Sequence, residues 1–138
     1  MSSELLRGVF DNNALVSAAL LAGVPRKSLD KLLDSGTVLV SVPVLLELAD
    51  VLNRPKFDNY VTHDERMCFM VSFLKIAEIV QIDETITACR DPKDDKLLEL
   101  AVCGNPDFLV AGDRDLLVLN PFRGVEIITP RELLDKTF

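Results

Sequence analysis

At 138 residues and 49% hydrophobic, the chain is too apolar for a disordered segment and long enough to bury one sizeable core, so a single domain spanning 1–138 is expected. No apolar stretch approaches the roughly 20 residues of a membrane-spanning helix, and the opening MSSELLRGVF lacks the basic-then-apolar pattern of a secretory leader. A formal charge of -7 argues against a phosphate-bearing partner unless cations neutralise part of the acidity.

Cys68, Cys89 and Cys103 are odd in number and none forms a C-x-x-C pair, which excludes a disulfide framework and points to three buried thiols in a reducing cytoplasm. With His63 as the single histidine, zinc chemistry has almost no ligands to draw on.

In chain order, Leu6 to Phe10 reads as a short buried strand ending at Asp11. Asn12 or Asn13 then caps a helix through Leu21, because a short side-chain acceptor satisfies free N–H groups of the first turn. Pro25 opens a second helix with Leu29, Leu32 and Leu33 on one face, and Ser35-Gly36 stops it. Thr37 to Ser41 is the second strand. Pro43 starts a third helix, which buries Leu45, Leu48, Ala49 and Leu52 and carries Glu47 toward its strand-proximal end. His63 to Ala77 is a fourth helix, capped by Thr62 or Asp64, and a strand follows over Glu78 to Ile82. Arg90-Asp91-Pro92 is a turn, and Asp94 or Asp95 opens a helix burying Leu97, Leu98, Ala101 and Val102. Phe108 to Ala111 is a strand, Leu116 and Leu117 lie on a short helical turn, Val125 to Ile128 is the last strand, and Pro130 begins a terminal helix. Strands alternating with helices predict an α/β fold, a three-layer α/β/α sandwich around a mainly parallel sheet of four to five strands.

Asp11 and Asp113 each directly follow an apolar strand. Open parallel sheets form their sites in the crevice beyond the strands' carboxyl ends, so both acids belong to one edge. Asp91, Asp94 and Asp95 lie in the turn leading into a helix that starts from that edge, and Glu47 sits in the first turns of another. For Asp94 and Asp95 the helix macrodipole is a sufficient structural explanation. Asp11 differs, because an unpaired carboxylate at the core rim is costly. Carboxylates gathered in one place repel one another unless a multivalent cation is bound. Oxygen donors without sulfur or imidazole select Mg²⁺ or Mn²⁺, and such a site suits phosphodiester hydrolysis. Setting aside six candidate acids leaves 16 acidic against 15 basic residues, close to neutral.

The stretches Val9-Phe10-Asp11-Asn12-Asn13-Ala14, Ser41-Val42-Pro43-Val44-Leu45-Leu46-Glu47, Asp91-Pro92-Lys93-Asp94-Asp95-Lys96 and Ala111-Gly112-Asp113-Arg114-Asp115 resemble, in order, the four acidic motifs of the PIN-domain family. The wording looks most like the branch of toxin components of prokaryotic toxin–antitoxin systems. That resemblance implies an Mg²⁺- or Mn²⁺-dependent endoribonuclease acting on single-stranded or structured RNA, cytoplasmic, frequently a homodimer and often restrained by an antitoxin protein. It implies catalytic and metal-binding roles for Asp11, Glu47, Asp95 and Asp113, with Asp91 and Asp115 as additional metal ligands. Asn13 and Ser41 would orient the carboxylates by hydrogen bonding, and Arg114 would contact a substrate phosphate. Two positions depart from the pattern: Asn12 stands where Thr is frequent, and Ala111 where a hydroxyl residue often precedes the Gly-Asp pair.

The alternative from another class is a weakly active or inactive PIN-like module that binds RNA or protein. A serine hydrolase is disfavoured by the absence of a G-x-S-x-G turn, and no phosphate-binding P-loop or dinucleotide fingerprint is present. An aspartyl phosphotransferase would want an acid where Asn13 stands. Arg54, Lys56, Lys93, Lys96, Arg114 and Arg123 are candidates to contact a phosphate backbone, with Arg114 nearest the site and a solvated charged surface the plainer reading of the others, while Phe57, Tyr60, Phe69 and Phe73 read as core or a dimer interface.

Overall fold

The computed structural model describes residues 5–89 and 91–138. Five strands, β1 (Leu6–Phe10), β2 (Gly36–Val40), β3 (Glu78–Ile79), β4 (Phe108–Val110) and β5 (Glu126–Ile128), form one sheet in the order β3-β2-β1-β4-β5. Every pairing is parallel, with Leu6 opposite Gly36, Gly8 opposite Phe108 and Phe108 opposite Glu126. Among the described residues, six α-helices connect the strands, α1 (Asn12–Leu20), α2 (Val24–Ser35), α3 (Val42–Leu52), α4 (His63–Ile76), α5 (Asp95–Gly104) and α6 (Arg114–Leu117), and α7 (Pro130–Asp135) follows the last strand.

The period of two along each strand divides the core into two layers. Phe10, Val38, Val40, Phe108, Val110 and Ile128 face a cluster with Leu15, Leu32, Leu48, Phe73 and Leu133 of α1, α2, α3, α4 and α7. Their neighbours Val9, Leu39, Leu109 and Ile127 face the other way, against Leu97, Leu98, Leu100 and Ala101 of α5 and Leu116 of α6. Apolar runs without polar alternation are what a sheet covered on both faces requires. Where β2 meets β1, the chains approach so closely that a Cβ on Gly36 would lie 1.9 Å from the Leu6 carbonyl oxygen, so this start of β2 tolerates only glycine.

Three sequence expectations change. Helix α1 begins at Asn12, with Asp11 itself as the capping residue: its Oδ1 accepts the Ala14 N–H at 2.7 Å. The strand expected over Glu78 to Ile82 pairs only through Ile79, with one further bond from the Val80 N–H to the Val40 carbonyl. β2 ends there because Ser41 turns the chain into α3, leaving the edge strand no partner. Cys68 is exposed on α4 while Cys89 and Cys103 are part-buried, so the thiols are free but not all inside. Of the turn read at Arg90-Asp91-Pro92, Arg90 lies outside the described residues, as do Met1 to Glu4 of the stretch read for a leader. Among the described residues, no helix is long and apolar enough to cross a membrane.

Candidate active site

The chain leaves β1 toward β2 on one side and later returns to build β4 and β5 on the other, so the strand order reverses at β1. A crevice therefore opens beyond the carboxyl ends of β1 and β4. There the Asp11 N–H donates to the Val110 carbonyl at 2.9 Å and the Ala111 N–H to the Ile128 carbonyl at 2.8 Å, carrying both ladders one step past the strands. Asp11 and Asp113 follow directly. A cleft of about 140 Å³ lies at this edge, walled by Asp11, Asn12, Asn13, Glu47, Asp91, Lys93, Asp94 and Asp113 with Val16, Val51, Leu97 and Leu116 beneath.

Asp11 is only 2% exposed. Its Oδ1 takes the Ala14 N–H and its Oδ2 the Gly112 N–H at 3.3 Å. Burial nevertheless pushes its carboxyl up to about 6, with the charges of Asp113 and Asp94 adding to the rise and the two backbone bonds opposing it. Asp94 is raised in the same direction, first by desolvation, then by Asp113, Asp91, Glu47 and Asp115. Neighbouring carboxylates thus add to the desolvation that raises Asp11 and Asp94.

Glu47 projects from the second turn of α3 and is held at both oxygens. Oε1 accepts from Asn12 Nδ2 at 2.7 Å, and Oε2 pairs with Lys96 Nζ at 3.1 Å. Asn12 also donates to the Val44 carbonyl at 3.3 Å, which fixes the orientation of its amide and leaves its buried Oδ1 without a hydrogen-bond partner. Asp113 caps α6 through the Asp115 N–H at 2.9 Å, and Asp91 caps the short 3-10 turn Pro92–Asp94 through the Lys93 N–H at 3.0 Å.

The structure brings together Asp11, Glu47, Asp91, Asp113 and Asn13, but it separates the other sequence candidates from this wall. The resemblance carries the third acid onto Asp95; the side chain facing the cleft is Asp94. Asp95 instead turns its Oδ1 to the N–H groups of Cys89 (2.7 Å) and Ala88 (3.1 Å), and these bonds hold its carboxyl below the usual range. Its position at the start of α5, after a 3-10 turn, rotates it away from its neighbour. The same carboxylate helps push the Cys89 thiol up to about 12, behind desolvation, which suits an inert cysteine. Ser41 is buried and caps α3, accepting the Val44 N–H at 3.4 Å. Asp115 and Arg114 lie beyond the cleft on α6, although the charge of Asp115 still reaches Asp94. Lys93 lines the rim where Arg114 was expected.

Sequence reasoning misses Asn12 and Lys96 as partners of Glu47. Asn12 reads as a lost hydroxyl, yet an amide placed one residue after a strand-end acid is a donor that can reach across to a carboxylate. No sequence signal pairs Lys96 with an acid 49 residues away.

A family model for the PIN domain matches residues 7–115. The chain belongs to the PIN domain family. No curated protein matches this PIN domain in sequence. Among solved structures, it resembles PAE2754 from Pyrobaculum aerophilum with a TM-score of 0.60 at 15% identity, over 94% of this chain and 88% of that one. It also resembles VapBC2 from Rickettsia felis, solved bound to a DNA fragment from its promoter, with a TM-score of 0.62 at 15% identity over 88% of this chain and 97% of that one. At that identity the two structures establish the shared fold.

The donor set of the PIN cleft consists of carboxylate and amide oxygens, which fits a hard divalent cation. The raised carboxyls of Asp11 and Asp94, shifted first by desolvation and then by neighbouring acids, and the orphaned Asn12 Oδ1 fit an added positive centre. As the side chains stand, no three Asp, Glu, His or Cys groups among the described residues are close enough to hold one. Glu47 is turned toward Asn12 and Lys96 instead.

Proposed function

We propose that this PIN domain is an Mg²⁺- or Mn²⁺-dependent endoribonuclease whose metal is held by Asp11, Glu47, Asp94 and Asp113, with Asp91 at the rim. The observation that carries this reading is the convergence of acids from four separate chain segments on the strand-order reversal at β1, where burial and then neighbouring carboxylates raise Asp11 and Asp94. Structure alone would not select such repulsion, whereas a divalent ion relieves it. When bound, the ion supplies activated water at neutral pH and offsets the charge of the phosphodiester.

The protein's own groups divide the remaining work. Asp11, pinned between the Ala14 and Gly112 N–H groups, offers a carboxylate whose direction is fixed. Asn12 holds Glu47 from within the core. Lys93, exposed at the rim and without an ion pair among the described residues, is the group available to a substrate phosphate. With Trp absent, the cleft offers no base-stacking platform, and a bound divalent ion would offset its acidic wall for a phosphate backbone. The toxin role, an antitoxin protein partner and a homodimer follow from the sequence resemblance, and an adjacent gene for a small DNA-binding protein is expected.

The test is cleavage of single-stranded RNA in Mn²⁺, with EDTA and the Asp11→Asn and Asp94→Asn variants as controls. Cleavage abolished by EDTA and lowered at least about tenfold in each variant is expected from loss of a charged ligand. RNA that is bound but left intact with every divalent ion tried would favour the binding-module reading.

A further inference from the structure

Five carboxylates line the cleft, and two ammonium groups belong to it. Lys93 stands at the rim without an ion pair among the described residues, while Lys96 is bonded to Glu47 Oε2 at 3.1 Å. The two arms that hold Glu47 differ in kind. Asn12 is 8% exposed and doubly committed, to Glu47 and to the Val44 carbonyl, so it cannot leave without uncovering buried groups. Lys96 is a flexible four-carbon stem whose side chain is 26% exposed, and water can replace its single bond.

We infer that Lys96 is the resident counter-ion of this cleft: its ammonium occupies Glu47 in place of a divalent cation and gives way when one binds. The inference rests on the proposed metal site and specifies how that site is kept and opened. A monovalent group paired with one carboxylate leaves the other four cleft carboxylates, Asp11, Asp91, Asp94 and Asp113, without an ion pair among the described residues. A divalent ion can serve several carboxylates at once, but only if Glu47 Oε2 is released. A part-exposed pair of this kind is weak, so its exchange for a cation needs little driving force. Asn12 keeps hold of Oε1 throughout, so Glu47 pivots and is not lost to solvent.

Calorimetric titration of the full chain with MnCl₂, without RNA, tests this. Lys96→Gln removes the competitor and is expected to bind Mn²⁺ about fivefold more tightly than the parent. Lys96→Arg retains the charge and should stay near the parent value. Lys93→Gln removes the same charge from the same cleft but no bond to Glu47, and should change affinity less than about twofold. Equal or weaker binding by Lys96→Gln would mean that Lys96 positions Glu47 for the metal and does not compete with it, which overturns the inference. An equal gain from Lys93→Gln would overturn it too, by reducing the effect to net charge. Absence of binding by both the parent and Lys96→Gln would defeat the metal reading itself, and this inference with it.

Discussion

Asp11 and Gly112 are joined across the sheet: the Gly112 N–H donates to Asp11 Oδ2 at 3.3 Å, linking groups 101 residues apart. The other oxygen of the same carboxylate caps α1 through Ala14. One side chain thus starts a helix, ties the end of β1 to the end of β4, and forms the floor of the acidic cleft.

These roles give the metal-free protein an unusual dependence on pH. The folded carboxyl sits at about 6 against an ordinary 3.8, so the folded state holds this proton more tightly than the unfolded chain does. The contribution is fully present below the unfolded value and is lost as pH rises from about 4 to about 6, a change of about 3 kcal/mol from this group. Asp11→Asn should abolish it. Asparagine caps a helix as well as aspartate does but has a single acceptor oxygen, so the variant keeps α1, gives up the long Gly112 bond at a cost of about 1 kcal/mol, and should still be the more stable protein at pH 7 in EDTA. Urea midpoints of the two proteins at pH 4 and pH 7 measure the difference. Curves that stay parallel across that range would show that Asp11 ionises freely.

Adjacent acids at the start of α5 should behave in opposite ways. Asp94 faces the cleft and its carboxyl is raised, so Asp94→Asn should raise metal-free stability while weakening Mn²⁺ binding and cleavage by at least about an order of magnitude. Asp95 is held low by the Cys89 and Ala88 N–H groups, so its contribution is present above the unfolded value and falls away as pH drops below it. Asp95→Ala leaves both donors without their acceptor and should destabilise by about 1–3 kcal/mol with Mn²⁺ affinity kept. A loss of metal binding in Asp95→Ala at unchanged stability would return the ligand role to that residue.

Ser41 separates capping from orientation of the site. Its buried Oγ meets the Val44 N–H, and Val44 in turn offers its carbonyl to Asn12. Ser41→Ala should lower stability by about 1 kcal/mol and leave Mn²⁺ affinity nearly unchanged, because the hydroxyl touches no cleft acid. Should affinity fall along with stability, the cap also sets the reach of Glu47.

The fold was legible because its signals are local. Val9, Leu39, Leu109 and Ile127 sit in short β-branched and leucine-rich runs, and Gly36, Pro43 and Pro130 punctuate them. The edge at which the acids gather follows from the parallel connection rule and needs no side-chain detail. Which of two neighbouring acids faces inward does not follow. Asp94 and Asp95 have the same chemistry, and the choice depends on the 3-10 turn at Pro92–Asp94, which rotates one into the cleft and the other beneath the backbone of residues 88 and 89. Asn12 and Lys96 were equally hidden, since their bonds to Glu47 cross 35 and 49 residues of chain. The fully buried Arg66 is a further case: it stands four and seven residues before Met70 and Phe73 on the buried face of α4, but nothing in the sequence names the carbonyls that receive its charge.

Arg66 supplies the last test, away from the cleft. Its guanidinium is 0% exposed and donates to the carbonyls of Leu52 (2.7 Å), Val61 and Arg54, and to Asp58 Oδ1 at 2.8 Å. The segment between α3 and α4 has few apolar contacts of its own, and none of residues 53–62 is buried. One side chain therefore takes the place of a core for it. Lysine presents a point charge where these acceptors need a planar fork, so Arg66→Lys should not restore the network. Both Arg66→Lys and Arg66→Met should lose about 3 kcal/mol of stability, and the segment should become the earliest site of proteolytic nicking. Arg66 bonds to no cleft acid, so Mn²⁺ affinity should hold wherever the variant remains folded. Arg66→Lys with the parent's melting temperature would show that charge at this position suffices and that the four-way geometry contributes little.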